Sequence, residues 1–165
     1  DDRLGLAGSS YQMLVSGAMA GRPPRVDFDL ERAVQRLLRR AIAAGLLASA
    51  HDSSDGGLAI ALAESSIASG LSVDLRFDLP SEGLARALFA EGGARVAISV
   101  KAECRQQWDQ MAAESMVPIT ELGVVTDGSE FRIQCGDRDV QLSVADLKRA
   151  HQEGLTRRIG GEAES

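Results

Sequence analysis

The segment Leu46–Gly70, LLASAHDSSDGGLAIALAESSIASG, restricts this chain more than any other. A short apolar run ends in seven polar or glycine residues, His51–Gly57, which lead straight into a block of small helix formers. The spacing predicts a strand over LLASAHD, a polar loop, and a helix from Leu58 to Ser69 closed by Gly70. Leu58, Ala59, Ile60, Ala61, Leu62 and Ala63 are apolar nearly all round the helix, so it is expected to be buried. Leu71–Phe77 then alternates apolar and polar side chains, the two-residue period of a half-buried strand.

The rest of the chain follows the same grammar. Pro23 and Pro24 remove two donors and fix two φ angles, marking a linker in residues 1–25. A helix then starts with Asp29 as its cap. Leu30, Val34, Leu37, Leu38, Ala41 and Ile42 form its apolar stripe, and Gly45 is its left-handed end. Leu84, Leu88 and Phe89 mark a short helix, and Arg95–Val100 a strand. Residues 102–116 form a helix with Cys104, Trp108 and Met111 on one side. Residues 118–125 and 130–135 are expected to pair across Thr126-Asp127-Gly128-Ser129, because Asp-Gly favours a hairpin. Residues 141–144 add a short strand, and Ser143 caps a last helix to about Glu153. The expected organisation is an N-terminal segment and linker (1–25), one domain (26–155) and a disordered tail (156–165). Helices and strands interleave and some strands are joined by short turns, so an α+β fold with a mixed sheet is expected.

Composition narrows the function. The 165 residues carry a net charge of -6, which argues against a nucleic-acid surface. Arg36, Arg39 and Arg40 lie along one helix and read as its solvated face. Cys104 and Cys135 form no CxxC pair; they are compatible with a disulfide and equally with a reduced cytosolic protein. With only His51 and His151, a histidine-based zinc site is not expected. No apolar run is long enough to span a bilayer, and no basic leader precedes one.

The polar loop admits two readings. A helix start presents unpaired N–H groups and the positive end of the dipole, and Gly56 and Gly57 let a ligand approach the backbone closely. His51, Asp52, Ser53, Ser54, Asp55, Gly56 and Gly57 are therefore candidates for binding the phosphates of a nucleotide. The simpler reading is a cap, since Asp55 and Ser54 are both good N-cap residues. Asp52 and Asp55 repel a phosphate unless Mg²⁺ bridges them to it. His51 reads most simply as structural, bonded to a backbone carbonyl. Ser9, Ser10 and Tyr11, with Glu91 and Arg95, are secondary candidates. An ion pair across Gly92-Gly93 accounts for the last two without a ligand. No histidine is placed to activate a Ser or Cys, and no Walker or GxGxxG loop is present.

His51-Asp52-Ser53-Ser54-Asp55-Gly56-Gly57-Leu58-Ala59, continuing to Ala63-Glu64, resembles the HDxSDGGLAxALAE signature of the C-terminal domain of phosphoribosylformylglycinamidine synthases. Leu6-Ala7-Gly8-Ser9-Ser10-Tyr11 is similar to that family's LGGSEY, with Ala7 and Ser10 as departures. Leu88–Val96 is similar to its LFxE…R-V segment, with Gly92-Gly93 where a Ser-containing pair is usual. The motifs stand in family order, and the likeness covers most of residues 6–150.

The resemblance implies a three-layer α/β/α sandwich like the C-terminal domain of aminoimidazole ribonucleotide synthetase. It implies an ATP- and Mg²⁺-dependent ligase of purine biosynthesis that turns formylglycinamide ribonucleotide and glutamine-derived ammonia into formylglycinamidine ribonucleotide. The family's catalytic histidine lies in N-terminal domains, so no catalytic residue is expected here. The chain alone is expected to be inactive and to hold no cofactor tightly. The implied partners are those missing N-terminal domains, a glutaminase subunit or domain, and a small accessory subunit, in the cytoplasm, with no nucleic acid and no membrane. The alternatives are a non-catalytic nucleotide-binding or scaffold module of the same fold and another ATP-dependent synthetase or kinase of the superfamily. Exposed apolar surface is expected around residues 1–20.

Overall fold

The computed structural model describes residues 5–80 and 83–159. Among them, residues 5–62 and 83–121 form one compact unit, and residues 63–80 and 122–159 form another.

In the first unit, Ser9 caps the short helix α1 (Ser10–Ser16), its hydroxyl accepting from the Gln12 amide. Sequence alone reads this stretch as linker, because a seven-residue helix leaves little periodicity to detect. The helix α2 (Phe28–Ala43) is capped by Asp27, not Asp29. The Asp27 carboxylate accepts from the Leu30 amide at 3.0 Å, whereas Asp29 lies in the first turn and pairs with Arg32. At the other end, Leu46 N–H donates to Ala41 O and Gly45 N–H to Ile42 O, with Gly45 at φ 71. This is a Schellman ending, and its Leu46–Ala41 contact is fully buried.

The strand β1 (Leu47–Asp52) pairs antiparallel with β3 (Val96–Val100), placing His51 opposite Ala97 and Asp52 opposite Val96. A 3₁₀ turn (Ala102–Cys104) leads into α5 (Arg105–Ser115), which stops at Met116 with φ 55. Leu37, Ala41, Leu46, Trp108 and Ala112 make the core, with Met111 and Cys104 packed against it. Burial of each large apolar side chain contributes about 1.5–3 kcal/mol.

The helix α3 (Gly57–Ser69) runs through the boundary between the units, and α4 (Leu84–Phe89) belongs to the first. The expectation of an all-round buried α3 is met only in part: Leu58, Ala61, Ala63 and Ser66 are buried, but Ile60 is 40% exposed. Its small residues are apolar without all facing a core.

In the second unit, β2 (Ser72–Phe77), β4 (Gly123–Thr126), β5 (Glu130–Cys135) and β6 (Arg138–Ser143) form a mixed sheet in the order β4-β2-β5-β6. Val73, Leu75 and Phe77 share its buried face with Phe131, Ile133 and Cys135. The expected α+β class with a mixed sheet is what the chain has. The expected hairpin is not. β4 pairs with β2, and β2 lies parallel to β5 between them. At the start of β2, fully buried Ser72 sits opposite Thr126 and its hydroxyl donates to Glu130 O, so both ends of the 126–129 turn are tied to it. The hairpin in this sheet joins β5 to β6 through Gly136 (φ 57) and Asp137. Ser143 caps α6 (Val144–Ile159), its hydroxyl accepting from the Asp146 amide at 2.9 Å. That helix runs past the expected end near Glu153; the expected frayed tail from Gly160 lies outside the described residues.

Both cysteines are free: Cys135 is buried and Cys104 half-buried, so the disulfide alternative is not realised. Among the described residues, no helix is long and apolar enough to cross a membrane.

Candidate functional site

The polar loop leaves β1 beside the start of β3, and the ladder continues one step beyond the strands. Ser53 N–H donates to Arg95 O at 2.9 Å. The loop then turns at Gly56 (φ 79) and Gly57 (φ 70) to open α3. Because α3 starts at Gly57, its cap position is Gly56, and neither Asp55 nor Ser54 holds it. Instead, Ser54 O accepts the Gly57 N–H at 2.9 Å. The Gly56 N–H donates to Glu91 Oε1 at 2.7 Å. The amide just before the helix is thus taken by a glutamate 35 residues away, not by the loop's own aspartates.

Glu91 Oε1 also accepts from the Ser10 N–H at 2.8 Å. One carboxylate oxygen therefore joins the first turn of α1 to the cap of α3. Negative charge is favourable at helix N-termini. Two residues earlier, Phe89 stacks on Tyr11 with ring centroids 4.8 Å apart and planes 12° from parallel. Between them, Ala90 is fully buried. The three sequence motifs, residues 6–11, 51–64 and 88–96, meet at this point.

Gly57 explains why the loop carries two glycines. A Cβ there would stand 2.7 Å from Leu88 O and 2.9 Å from Ala90 O. The start of α3 is pressed against the backbone that ends α4.

The expected ion pair between Glu91 and Arg95 gives way to separate partners. The Arg95 guanidinium donates to Ala87 O at 2.7 Å and Ala90 O at 3.3 Å, capping the C-terminal end of α4. Partial burial pulls its pKa below the ordinary value. The backbone explains the change: Ala94 takes φ 55, and its N–H donates to the carboxylate of Glu31 on α2. A Cβ on Gly93 would meet the Glu31 carboxylate, the mobile end of a side chain, so Glu31 packs directly against this turn. Sequence reasoning missed Glu31, and no local pattern signals it, because its partner lies 63 residues on.

His51 Nδ1 lies 2.8 Å from Asp52 O. The Ser54 hydroxyl donates to the Asp52 carboxylate, and this bond lowers the Asp52 pKa. Asp52 and Asp55 are both exposed. Among the described residues, no group of three His, Cys, Asp or Glu side chains gathers as a metal cage. Two carboxylates suit Mg²⁺ only where phosphate oxygens and water complete its shell. Ser53 is buried, and its hydroxyl is without a hydrogen-bond partner. The Gln12 side chain closes the loops around α1, accepting from the Gly8 amide at 2.8 Å and the Ala20 amide at 3.1 Å.

A family model described as AIR synthase related protein, C-terminal domain, matches residues 2–136. The phosphoribosylformylglycinamidine synthase subunit PurL of Parasynechococcus marenigrum (strain WH8102) is 82% identical over all 165 residues, which make up 22% of that protein. Its namesake in Synechococcus sp. (strain WH7803) is 55% identical over 97% of this chain and 21% of its own length. The chain thus spans about a fifth of the curated relatives it matches. Among solved structures, T. maritima PurL complexed with ATP overlays at a TM-score of 0.62 and 17% identity, covering 71% of this chain and 21% of that one. PurLQS from Thermotoga maritima overlays at a TM-score of 0.65 and 17% identity, covering 86% of this chain and 25% of that one. At such identity the overlays speak for the fold. A match over most of the chain, with its motifs drawn together on one carboxylate, makes this chain a member of the family of AIR synthase related proteins, C-terminal domain.

Proposed function

We propose that the chain is a C-terminal portion of a phosphoribosylformylglycinamidine synthase, the ligase that uses ATP and glutamine-derived ammonia to convert formylglycinamide ribonucleotide into formylglycinamidine ribonucleotide. The observation that carries this reading is 82% identity over all 165 residues to a protein of that name. In the reaction, ATP phosphorylates the amide oxygen and ammonia displaces the phosphate. In this reading the chain's part is to bind and brace. ATP is the nucleotide named in a structural relative, and PurLQS names an assembly; both favour a nucleotide and a glutaminase partner for the complete protein. The remaining domains, a small accessory subunit and a cytoplasmic setting belong to the same reading.

Within the chain, residues 51–57 are the proposed nucleotide-phosphate contact, with Ser9, Ser10, Tyr11, Glu91 and Arg95 shaping it. Asp52 and Asp55 would share an Mg²⁺ with the phosphates, and the ion would offset the charge of both. The occupied amides of Gly56 and Gly57 favour this bridged contact over a bare amide cradle. They also favour a supporting half-site over a catalytic one, so the isolated chain is expected to be inactive. A non-catalytic module of the same fold is the second reading, favoured by those filled amides.

The test is turnover by the full-length protein given formylglycinamide ribonucleotide, ATP, Mg²⁺ and ammonia. Stoichiometric ADP and amidine product is the expected result. A folded full-length protein that consumes no ATP with this substrate leaves only the non-catalytic reading, and ATP use with a different substrate moves the protein elsewhere in the superfamily.

A further inference from the structure

We propose that Glu91 is the positioning residue of the polar loop, coupling residues 9–11 to residues 53–57 so that one segment responds to what the other meets. The geometry is specific. A single oxygen, Oε1, lies 2.8 Å from the Ser10 nitrogen and 2.7 Å from the Gly56 nitrogen. The two amides are 46 positions apart and begin different helices. A charged acceptor forms hydrogen bonds roughly twice as strong as a neutral one. The backbone around Glu91 grips the same two segments. Phe89 stacks on Tyr11, while the carbonyls of Leu88 and Ala90 abut Gly57. Arg95 fixes the far side by holding Ala87 O and Ala90 O, and its own carbonyl takes the Ser53 amide. The segment 88–95 therefore touches both candidate segments along its length, and Glu91 is the one side chain on it that bonds both.

The structural half of this role stands without any ligand; only the response to nucleotide rests on the function proposed above. Amide hydrogen exchange in the full-length protein separates the two. Without nucleotide, Glu91→Ala is expected to speed exchange at Ser10 and at Gly56 by about tenfold or more. Glu91→Gln keeps an acceptor oxygen without its charge and is expected to speed both less. Ser10→Pro removes one of the two donors at a first helical position, where proline is tolerated. It is expected to speed exchange at Gly56 when Glu91 is present and to add nothing in the Glu91→Ala background. Unchanged exchange at either amide in both Glu91 variants, or an equal effect of Ser10→Pro in both backgrounds, overturns the role. Glu91→Gln and Ser10→Pro preserve shape, so they decide the matter even if Glu91→Ala does not fold. With ATP and Mg²⁺, the wild type is expected to slow in both segments and Glu91→Gln in one alone. A wild type that turns over but slows in one segment only refutes the coupling. A wild type indifferent to ATP removes the nucleotide reading of the loop, and the nucleotide-free result still decides the role of Glu91.

Discussion

At the scale of single residues, two glycines with nearly the same φ separate conformational strain from lack of space. Gly57 and Gly70 have φ of 70° and 71°, but a Cβ on Gly57 meets three backbone atoms within 2.9 Å and one on Gly70 meets nothing within 4 Å. Left-handed backbone costs a residue with a Cβ roughly 1–2 kcal/mol. Overpacking adds about 1–3 kcal/mol. Gly70→Ala should therefore cost about 1–2 kcal/mol in urea unfolding, and Gly57→Ala about 3 kcal/mol or more. Equal costs would mean the start of α3 can back away from α4. Asp52 gives a prediction of a different kind. The Ser54 hydroxyl bond holds its pKa below the ordinary 3.8, so that bond contributes fully above this pH and is lost as pH falls through the lowered value. In Ser54→Ala, an NMR titration of the Asp52 carboxyl should shift upward toward the ordinary value. A titration that stays where it was would assign the lowering to the backbone instead.

At the scale of elements, what was legible followed how local the cause was. The β1-loop-α3 unit, the helix over residues 28–43, the strand before Lys101 and the Ser143 cap rest on neighbours within a few positions, and sequence reads them correctly. Partner choice is not local. Asp127-Gly128 carries a strong turn signal, yet β2 lies between the strands it joins, a fact set by sheet order. The hairpin in this sheet turns instead at Gly136-Asp137, between β5 and β6. In the candidate site, the residue types in the loop were legible, but the identity of the acceptor was not, since Glu91 is 35 positions from Gly56. The cap of α2 shows the usual two-residue ambiguity of helix ends and is easily checked. Asp27 accepts the Leu30 amide, while Asp29 pairs with Arg32 across exposed surface. Asp27→Ala should cost about 1 kcal/mol in thermal or chemical unfolding. Asp29→Ala should change stability by no more than about 0.5 kcal/mol. The reverse order would move the helix start back to Asp29.

At the scale of the whole molecule, the chain carries an exposed apolar strip near its start. Met13, Leu14, Val15, Met19, Val26 and Phe28 are all exposed, with Leu14 at 82% and Phe28 at 69%. Four of the six fall within residues 1–20, where exposed apolar surface was expected, and the run continues to Phe28. Apolar side chains so concentrated along sixteen residues differ from the scattered ones an ordinary surface tolerates. If the chain is a portion of a longer protein, as proposed above, the remaining domains are what would cover the strip; the curated relatives are about five times its length. The 165-residue chain by itself should then bind a polarity-sensitive dye and self-associate as its concentration rises in light scattering. Leu14→Lys with Phe28→Lys should weaken both, with unfolding stability changed by no more than about 0.5 kcal/mol, since neither side chain is buried. In the full-length protein the same pair should instead lower the unfolding midpoint, because there the lysines would have to enter a covered interface. A chain that stays monomeric and dye-free, or a full-length protein indifferent to both lysines, would show that residues 13–28 face water in the complete protein as well.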